Sequence, residues 1–452
     1  MGTSRRDFVI GAAATLAATS ASVAAAPSRR RPNILFIMAD DLGYADLSIY
    51  GRREYQTPVL DQLATDGLLM TQGYANAPSC SPTRVALITG RYHQRLPVGL
   101  PEPIRTRKLD PVGLPTGQST LPGLLQAAGY RTSLVGKWHM GWPPDHSPLR
   151  HGYQHFFGTA SAGVEYFTHR ENDPAGQGEV GLFEGDDVVQ RDGYMTDLLA
   201  DRAVQQIWAA AADAAPFFLS LHFTAAHWPW QGPKSVPLPP GADLWHYDGG
   251  SLEIFAEMVR AMDLAIGRVL DELKRSGLAN DTIVVFTSDN GGERFSDTWP
   301  LRGGKRDLLE GGIRVPVIVR WPTSIVSGRR SDQVIATMDW FPTLLAAAGA
   351  PTDPNHPPDG ENLLDVLRGQ AHARSRQLFW RFRNPDQAAA RNGDWKYLRI
   401  GGEEFLFDIT RDPRERANRK AAEPARFQQM KADWAAWNAA MLPYPAPPTP
   451  RT

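Results

Sequence analysis

The sequence predicts an α/β fold of three layers, in which helices cover both faces of a mainly parallel sheet. A smaller C-terminal subdomain with an antiparallel sheet is expected to follow. Short apolar runs alternate with segments of helical periodicity, as expected for strands buried on both faces. A Pro-rich stretch at residues 351–358 separates this pattern from shorter strand-like pieces. With 452 residues, 42% of them hydrophobic, the chain can form a large core.

The first region, residues 31–350, is predicted to form the large domain. Apolar runs predict strands at Asn33–Ala39, Arg131–Val135, Phe217–Phe223, Thr282–Thr287 and Val315–Arg320. Helical spacing predicts helices at Pro58–Asp66, Thr120–Ala128, Asp197–Ala210 and Leu252–Arg275. The last of these is followed by Ser276 and Gly277, a typical helix end.

The second region, residues 359–442, is predicted to form the C-terminal subdomain. Strand-like segments lie at Gln377–Phe382, Trp395–Ile400 and Glu404–Ile409, and a terminal helix is predicted near Pro424–Leu442. The Pro-rich tail, residues 443–452, is expected to be unstructured.

The N-terminus is predicted to lie outside the fold. Arg5 and Arg6 precede an Ala-rich apolar run from Phe8 to Ala26 that ends in small residues, so residues 1–26 resemble a twin-arginine signal peptide. That resemblance implies export by the Tat machinery of a bacterium, to the periplasm or the medium. The alternative is an uncleaved membrane anchor, but the run is weakly hydrophobic for a spanning helix. No later segment approaches 18 consecutive apolar residues, so we expect no stable membrane association.

The net charge and the single cysteine limit the classes of function that the chain can have. The formal net charge of -1 gives no global field that would attract nucleic acid, so anion binding must be local. Cys80 is the only cysteine of the chain and cannot form an internal disulfide. A lone cysteine is most often a small buried apolar residue, and its neighbours decide whether that holds here.

Two predicted strands end in polar residues that suit a metal. Asp40 and Asp41 follow one strand, and Asp289 and Asn290 follow another. Sites in parallel sheets lie at the carboxyl ends of strands, so neighbouring strands would bring these oxygens together. An all-oxygen set suits Ca²⁺ or Mg²⁺. The alternative is that both pairs are turn residues.

Cys80 is placed as a possible nucleophile beside an anion site. Pro82 favours the start of a helix, so Cys80 would lie at a helix N-terminus, where free N–H groups attract anions. Arg84 follows by four residues and can share the same helix face.

The run from Cys80 to Arg91 resembles the signature of the type I sulfatases, Cys-x-Pro-Ser/Thr-Arg followed by Leu-x-Thr-Gly-Arg. Further segments resemble the family's motifs in order along the chain: Asn33–Asp41, Gly136–Gly141, His227–Trp230, Thr287–Gly291, Leu301–Lys305 with Glu310–Pro316, Asp339–Leu344 and Gly393–Lys396. The match covers roughly residues 31–418. The chain is therefore similar to arylsulfatases and N-acetylgalactosamine-6-sulfatases of the alkaline phosphatase superfamily.

The resemblance implies an alkaline-phosphatase-like fold and hydrolysis of aryl or carbohydrate sulfate monoesters to an alcohol and inorganic sulfate. It implies that a separate maturation enzyme oxidises Cys80 to formylglycine, which then forms a sulfate intermediate. One Ca²⁺ per chain would be held by Asp40, Asp41, Asp289, Asn290 and the residue at position 80. The catalytic residues it implies are Cys80, Arg84, Lys137, His139, His227 and Lys305.

The resemblance also assigns a role to each side chain. Arg84, Lys137 and Lys305 would neutralise the sulfuryl oxygens. His227 and Lys305 would act on the leaving oxygen, and His139 would remove a proton when sulfate is released. The family's serine that contacts the nucleophile has no clear match; Ser161 is a candidate. Taken singly, each lysine or histidine could instead be structural.

Two other functions stay open at this point. A phosphonate monoester or phosphodiester hydrolase of the same superfamily would share the cysteine motif, but those enzymes commonly carry Asp-His where this chain has Asp289-Asn290. A non-catalytic carbohydrate-binding relative would not need the intact set of catalytic residues. Trp380–Arg383 either binds a sulfated sugar or packs the two regions together.

Overall fold

The computed structural model describes residues 1–2, 31–105, 107, 110–171, 179–213, 215–239 and 249–445. The chain divides into two units, Met1–Arg30 and Arg31–Thr452, and the second contains every helix and strand of the described residues. The predicted signal peptide lies outside the described residues apart from residues 1 and 2, as do residues 446–452 of the predicted tail.

Eleven strands form one large sheet in the described part of the chain. They are β1 Asn33–Ala39, β2 Leu68–Tyr74, β3 Arg131–Lys137, β4 His155–Thr159, β5 Leu182–Glu184, β6 Asp187–Val188, β7 Phe217–His222, β8 Thr282–Ser288, β9 Arg314–Arg320, β10 Arg329–Ser331 and β11 Ile335–Ala336. Their order is β10-β2-β9-β8-β1-β7-β3-β4-β5-β6, with β11 paired to β2. The centre from β8 to β4 is parallel, whereas β9 runs antiparallel to both β8 and β2.

Helices cover both faces of this sheet, which confirms the predicted three layers. They are α1 Pro58–Thr65, α2 Cys80–Thr89, α3 Leu121–Ala127, α4 Met195–Ala211, α5 Leu252–Arg275, α6 Glu310–Ile313, α7 Trp340–Ala348 and α8 Leu364–Arg368. Alternate residues of β1 enter different cores: Phe36 packs in the core that includes α2, α3 and α7, and Ile37 packs in the core that includes α1, α4 and α5. Burial on both faces explains the uninterrupted apolar runs.

The C-terminal part carries an antiparallel sheet of four strands, as predicted. The strands are β12 Gln377–Phe382, β13 Gln387–Asn392, β14 Trp395–Ile400 and β15 Glu403–Asp408, and helix α9 Pro424–Ala439 packs on them. The sequence interpretation missed β13. Among the described residues, no helix has the length and apolar character needed to cross a membrane.

Candidate active site

The site begins where β1 and β8 end side by side. These strands are parallel neighbours with Ala39 opposite Ser288, so the polar residues that follow them meet at one sheet edge. The Asp41 N–H donates to Asp289 Oδ1 at 3.2 Å, and Asn290 Nδ2 donates to Asp41 Oδ1 at 2.7 Å. The structure thus brings together the four strand-end residues of the five predicted to bind metal.

Cys80 faces this group from the first position of α2. Its Sγ lies 3.4 Å from Asp40 Oδ1 and 3.8 Å from Asp41 Oδ1, and the residue is 1% exposed. Burial raises the pKa of the Cys80 thiol well above its usual range. The unmodified thiol would therefore stay protonated and would be a poor nucleophile.

Two buried basic residues form ion pairs with the carboxylates of Asp40 and Asp289. The Arg84 guanidinium lies one turn into α2 and contacts Asp289 Oδ2 at 2.7 Å through Nη2. Lys137 ends β3, two residues beyond the predicted strand, and its Nζ lies 2.6 Å from Asp40 Oδ2. Burial opposes ionisation of Asp289, but the contact with Arg84 lowers its pKa below the usual value.

Asp41 is flanked by two further predicted residues. Lys305 Nζ lies 2.6 Å from Asp41 Oδ2, and His227 Nε2 lies 3.6 Å from the same oxygen. Burial opposes the charge on Lys305, but Asp41 raises its pKa well above the usual range. Burial, together with Lys305, lowers the pKa of His227 well below its usual value. Lys305 is therefore charged and His227 neutral in this arrangement.

His139 is held in a left-handed conformation, with φ of 56°, directly after β3 and Trp138. Its Nε2 donates to the carbonyl oxygen of Ile104 at 2.7 Å, which leaves the Nδ1 lone pair available. Burial lowers the pKa of His139 well below its usual value, so the ring is neutral. Nδ1 has no hydrogen-bond partner among the described residues. This arrangement suits a general base.

The site also fits a cation. Ligand atoms of Asp40, Asp41, Cys80 and Asp289 all lie within 4.8 Å of one another, and all four residues are buried. Asn290 Oδ1 is buried and has no hydrogen-bond partner in the described part of the chain. Burial raises the pKa of Asp40 to about 8, which shows how strongly this place resists uncompensated negative charge. Packed carboxylates with a free amide oxygen suit a hard divalent ion such as Ca²⁺.

A cavity of about 640 Å³ opens above these residues. Cys80, His139, His227 and Lys305 line it, so four of the six predicted catalytic residues face one substrate space, whereas Arg84 and Lys137 are fully buried and are not among the lining residues. Ser161 is not among its lining residues, and its Oγ donates to the Gly163 carbonyl oxygen at 3.3 Å.

Sequence reasoning missed several wall residues, among them Glu102, Arg105 and Glu293. They lie in loops and belong to none of the motifs that resemble the family. Of the segment Trp380–Arg383, Trp380 packs between the two sheets and donates from Nε1 to the Ala75 carbonyl oxygen at 2.9 Å. Arg383 instead lines the cavity, so the packing interpretation is confirmed for Trp380, whereas binding of a sulfated sugar by Arg383 stays a prediction.

Comparison with known proteins agrees with this geometry. The family model described as Sulfatase matches residues 32–350, and the model described as N-sulphoglucosamine sulphohydrolase, C-terminal, matches residues 303–433. Arylsulfatase J of Mus musculus is 33% identical over 81% of this chain and 60% of its own length. N-acetylgalactosamine-6-sulfatase of Homo sapiens is 33% identical over 81% of this chain and 71% of its own length. The chain thus spans less than two thirds of the length of Arylsulfatase J and more than two thirds of the length of N-acetylgalactosamine-6-sulfatase.

Solved structures show the same fold. Ps i-CgsB, in complex with k-i-k-neocarrahexaose, superimposes with a TM-score of 0.79 at 30% identity, covering 90% of this chain and 92% of that one. A phosphonate monoester hydrolase of Agrobacterium radiobacter gives a TM-score of 0.65 at 23% identity, over 91% of this chain and 96% of that one, a likeness of fold alone. The fold and the site are those of a hydrolase of the alkaline phosphatase superfamily. Within it, the chain belongs to the sulfatase family, enzymes that hydrolyse sulfuric esters.

Proposed function

We propose that this enzyme hydrolyses sulfate monoesters of sugar or aromatic alcohols, with Cys80 oxidised to formylglycine and one Ca²⁺ bound per chain. The observation that carries the proposal is the position of Cys80. Its side chain lies at a helix N-terminus, within 4 Å of carboxylate oxygens of Asp40 and Asp41, at the floor of the cavity.

Formylglycine is an aldehyde, and its hydrated form, a geminal diol, would supply a hydroxyl nucleophile in place of the protonated thiol; bound Ca²⁺ would lower the pKa of that hydroxyl. The residues that would hold the cation are Asp40, Asp41, Asp289 and Asn290, together with the side chain at position 80.

Three cations of the chain are suited to the sulfate group. Arg84 and Lys137 are buried and pair with Asp289 and Asp40, and Lys305 lines the cavity. Fixed positive charge in a site closed to water stabilises charge on the transferred oxygens without reorganisation. We assign these residues to the sulfuryl oxygens.

The two histidines have different tasks in this proposal. His227 donates from Nδ1 to the Trp228 carbonyl oxygen at 2.5 Å, so its Nε2 faces Asp41 and the cavity. In this neutral tautomer Nε2 carries a lone pair and no proton, so the charged Lys305 would give the proton to the leaving oxygen and His227 Nε2 would accept a hydrogen bond on that side of the cavity. His139 Nδ1 is free to take a proton from the residue at position 80 when sulfate is released.

A sugar sulfate is the preferred substrate class. Relatives include enzymes named for N-acetylgalactosamine-6-sulfate and a protein in complex with k-i-k-neocarrahexaose. A cavity of about 640 Å³ can hold a sugar unit together with its sulfate. Aryl sulfates would then be convenient test substrates.

We further propose that residues 1–26 direct twin-arginine export, so that the enzyme acts in the periplasm or the medium. Because this route carries folded proteins, a separate maturation enzyme would oxidise Cys80 in the cytoplasm before export.

The test compares two esters on protein coexpressed with a formylglycine-generating enzyme. We expect kcat/KM for 4-nitrophenyl sulfate to exceed that for 4-nitrophenyl phenylphosphonate by at least about 100-fold, since Asn290 takes the place of the His common in phosphonate hydrolases. Cys80→Ala is the matched control and should abolish turnover without unfolding the protein. A higher kcat/KM for the phosphonate would reject the assignment in favour of the phosphonate hydrolase.

A further inference from the structure

Three arginines line the same cavity as Cys80 but have no part in the proposed chemistry. These rim arginines are Arg105, Arg306 and Arg383. All three are exposed, whereas Cys80 is 1% exposed. They come from three separate loops, so the fold gathers them from distant positions in the sequence.

The backbones of the first two rim arginines are fixed. Arg306 has a left-handed φ of 73°, its N–H donates to the Pro78 carbonyl oxygen at 2.8 Å, and its carbonyl oxygen accepts from Gln387 Nε2 at 2.7 Å. The Arg105 N–H donates to Asp110 Oδ2 at 2.8 Å. Their guanidinium groups therefore extend from anchored positions.

The third rim arginine, Arg383, contacts Glu102 through its backbone and Tyr444 through its side chain. The Arg383 N–H donates to Glu102 Oε2 at 2.9 Å, and Tyr444 donates its hydroxyl to Glu102 Oε1 at 2.8 Å. The Arg383 guanidinium carbon lies 5.7 Å from the centre of the Tyr444 ring. These contacts place the Arg383 side chain against a rigid aromatic support.

The positive charge of the rim is available to a ligand. In the parts of the chain that the structure describes, none of the three guanidinium groups forms an ion pair. The basic residues of the cavity wall outnumber the acidic ones: Arg105, Lys305, Arg306 and Arg383 face Glu102, Asp110 and Glu293, and Glu293 lies 3.8 Å from Lys305.

We propose that the rim arginines bind a second anionic group of the substrate. The natural ester would then be a glycan that carries a further sulfate or a carboxylate beside the sulfate that is removed. A planar guanidinium group can donate two parallel hydrogen bonds to two oxygens of a sulfate or a carboxylate, and clustered charge in a cleft raises the local concentration of such anions. This inference rests on the proposed function, because it concerns the substrate of that site.

The test measures binding of sucrose octasulfate, a sugar with many sulfates, and of inorganic sulfate. Both are titrated calorimetrically against the formylglycine-bearing enzyme and against R105Q/R306Q/R383Q. The backbone bonds of Arg105, Arg306 and Arg383 do not depend on their side chains. Because Arg306 Nη2 donates to the Asn384 carbonyl oxygen at 3.4 Å, circular dichroism and the melting temperature of the triple variant are measured beside the titrations. Arg302→Gln is the matched control, because Arg302 is exposed and lies on the loop before Lys305 but does not line the cavity.

We expect the Kd of sucrose octasulfate to rise at least about 10-fold in the triple variant while the Kd of inorganic sulfate changes less than about 2-fold. The Arg302→Gln control should bind sucrose octasulfate and inorganic sulfate with the same Kd values as the formylglycine-bearing enzyme of natural sequence. An unchanged Kd of sucrose octasulfate, or a parallel loss of inorganic sulfate binding, would overturn the inference. Turnover of 4-nitrophenyl sulfate is measured separately, so failure of the proposed function appears as absent turnover and failure of this inference appears in the titrations.

Discussion

The molecule buries two dense clusters of charge, and they differ in what they leave unpaired. The site cluster consists of Asp40, Asp41, Arg84, Lys137, Asp289 and Lys305. The interface cluster consists of Tyr74, Glu310, Arg314, Arg391, Lys396 and Glu415. Both lie at sheet ends and both combine carboxylates with basic side chains.

The interface cluster is closed by ion pairs and none of its residues lines the cavity above Cys80, although Glu415 Oε1 is in ion-pair distance of Lys396 without a hydrogen bond. Lys396, from β14, places its Nζ 3.0 Å from Glu310 Oε1 and 2.8 Å from Glu415 Oε1. Glu310 also accepts from the Tyr74 hydroxyl at 2.5 Å and donates its N–H to Glu415 Oε2 at 2.7 Å. The cluster thereby joins the small sheet to the loops of the large one.

The site cluster is open. Around it, Asn290 Oδ1 and His139 Nδ1 are buried and have no partner among the described residues, and the cavity lies directly above Cys80. Buried polar atoms are rarely left without partners. A closed buried cluster therefore serves cohesion, whereas unpaired atoms beside a cavity mark the place where a ligand completes the structure.

Removal of the proposed Ca²⁺ should affect the site cluster and leave the interface cluster unchanged, and this is the largest effect that we expect. Because only the site cluster should respond, we expect dialysis against EGTA to lower kcat/KM for 4-nitrophenyl sulfate by at least about 10⁴-fold, more than about 5 kcal/mol on the activation barrier. Added Ca²⁺ should restore the activity. Full activity in protein shown by mass spectrometry to be free of metal would contradict the distinction between the clusters.

The second test is Lys396→Met. Loss of this buried cation leaves Glu310 and Glu415 facing each other, and we expect the free energy of unfolding to fall by about 3 to 5 kcal/mol. Because Lys396 does not line the cavity, kcat/KM of the protein that remains folded should be unchanged. The double variant K396M/E415Q should recover part of the stability. A large loss of kcat/KM in folded Lys396→Met protein would show that the two clusters are coupled.

The smallest effect that we expect is a change of the free energy of unfolding with pH. Burial raises the pKa of Glu415 from 4.5 to about 7, so between these values the folded protein holds a proton that the unfolded chain releases. The free energy of unfolding should therefore fall as pH rises through this window, by about 1 to 3 kcal/mol from Glu415. Glu310 acts in a different window: burial opposes its ionisation, but Lys396 and Arg314 hold its pKa at about 2, so its contribution is lost only below pH 4.5.

The pH effect is isolated by comparing urea denaturation of the natural sequence and Glu415→Gln at pH 5 and pH 8. The difference in free energy between the two pH values should be smaller in the variant, because glutamine does not titrate. Equal differences in both proteins would show that Glu415 is ionised throughout.

Much of the fold could be predicted because the central strands are buried on both faces. Strands β1 and β12 and helix α5 begin and end where the apolar runs do. Strand β13, Gln387–Asn392, was missed because its alanines have weak strand propensity. Its neighbours β12 and β14 impose the strand through hydrogen bonding on both edges, which no local pattern can show.

The site could be predicted where its residues follow strands or open a helix. Asp40, Asp289 and Lys137 each lie at or directly after the carboxyl end of a strand. His222 was missed, although it ends β7 and its Nδ1 lies 3.2 Å from the Lys137 carbonyl oxygen. The rim arginines could not be found, because their proximity depends on loop paths that only the tertiary structure sets.

The position of β1 in the sheet has a consequence for biosynthesis. Its two neighbours, β7 and β8, are encoded far downstream, and the hydrogen bond from Asp41 to Asp289 spans 248 residues. At about 5 to 20 residues per second, the ribosome needs about 12 to 50 s to supply that length of chain. Cys80 precedes Asp289 by 209 residues (289 − 80), so for about 10 to 42 s after its synthesis the segment around Cys80 cannot be enclosed by the finished sheet. The translation delay is thus the time in which the maturation enzyme proposed above would have access to the Cys80 thiol, a residue that is 1% exposed in the completed protein.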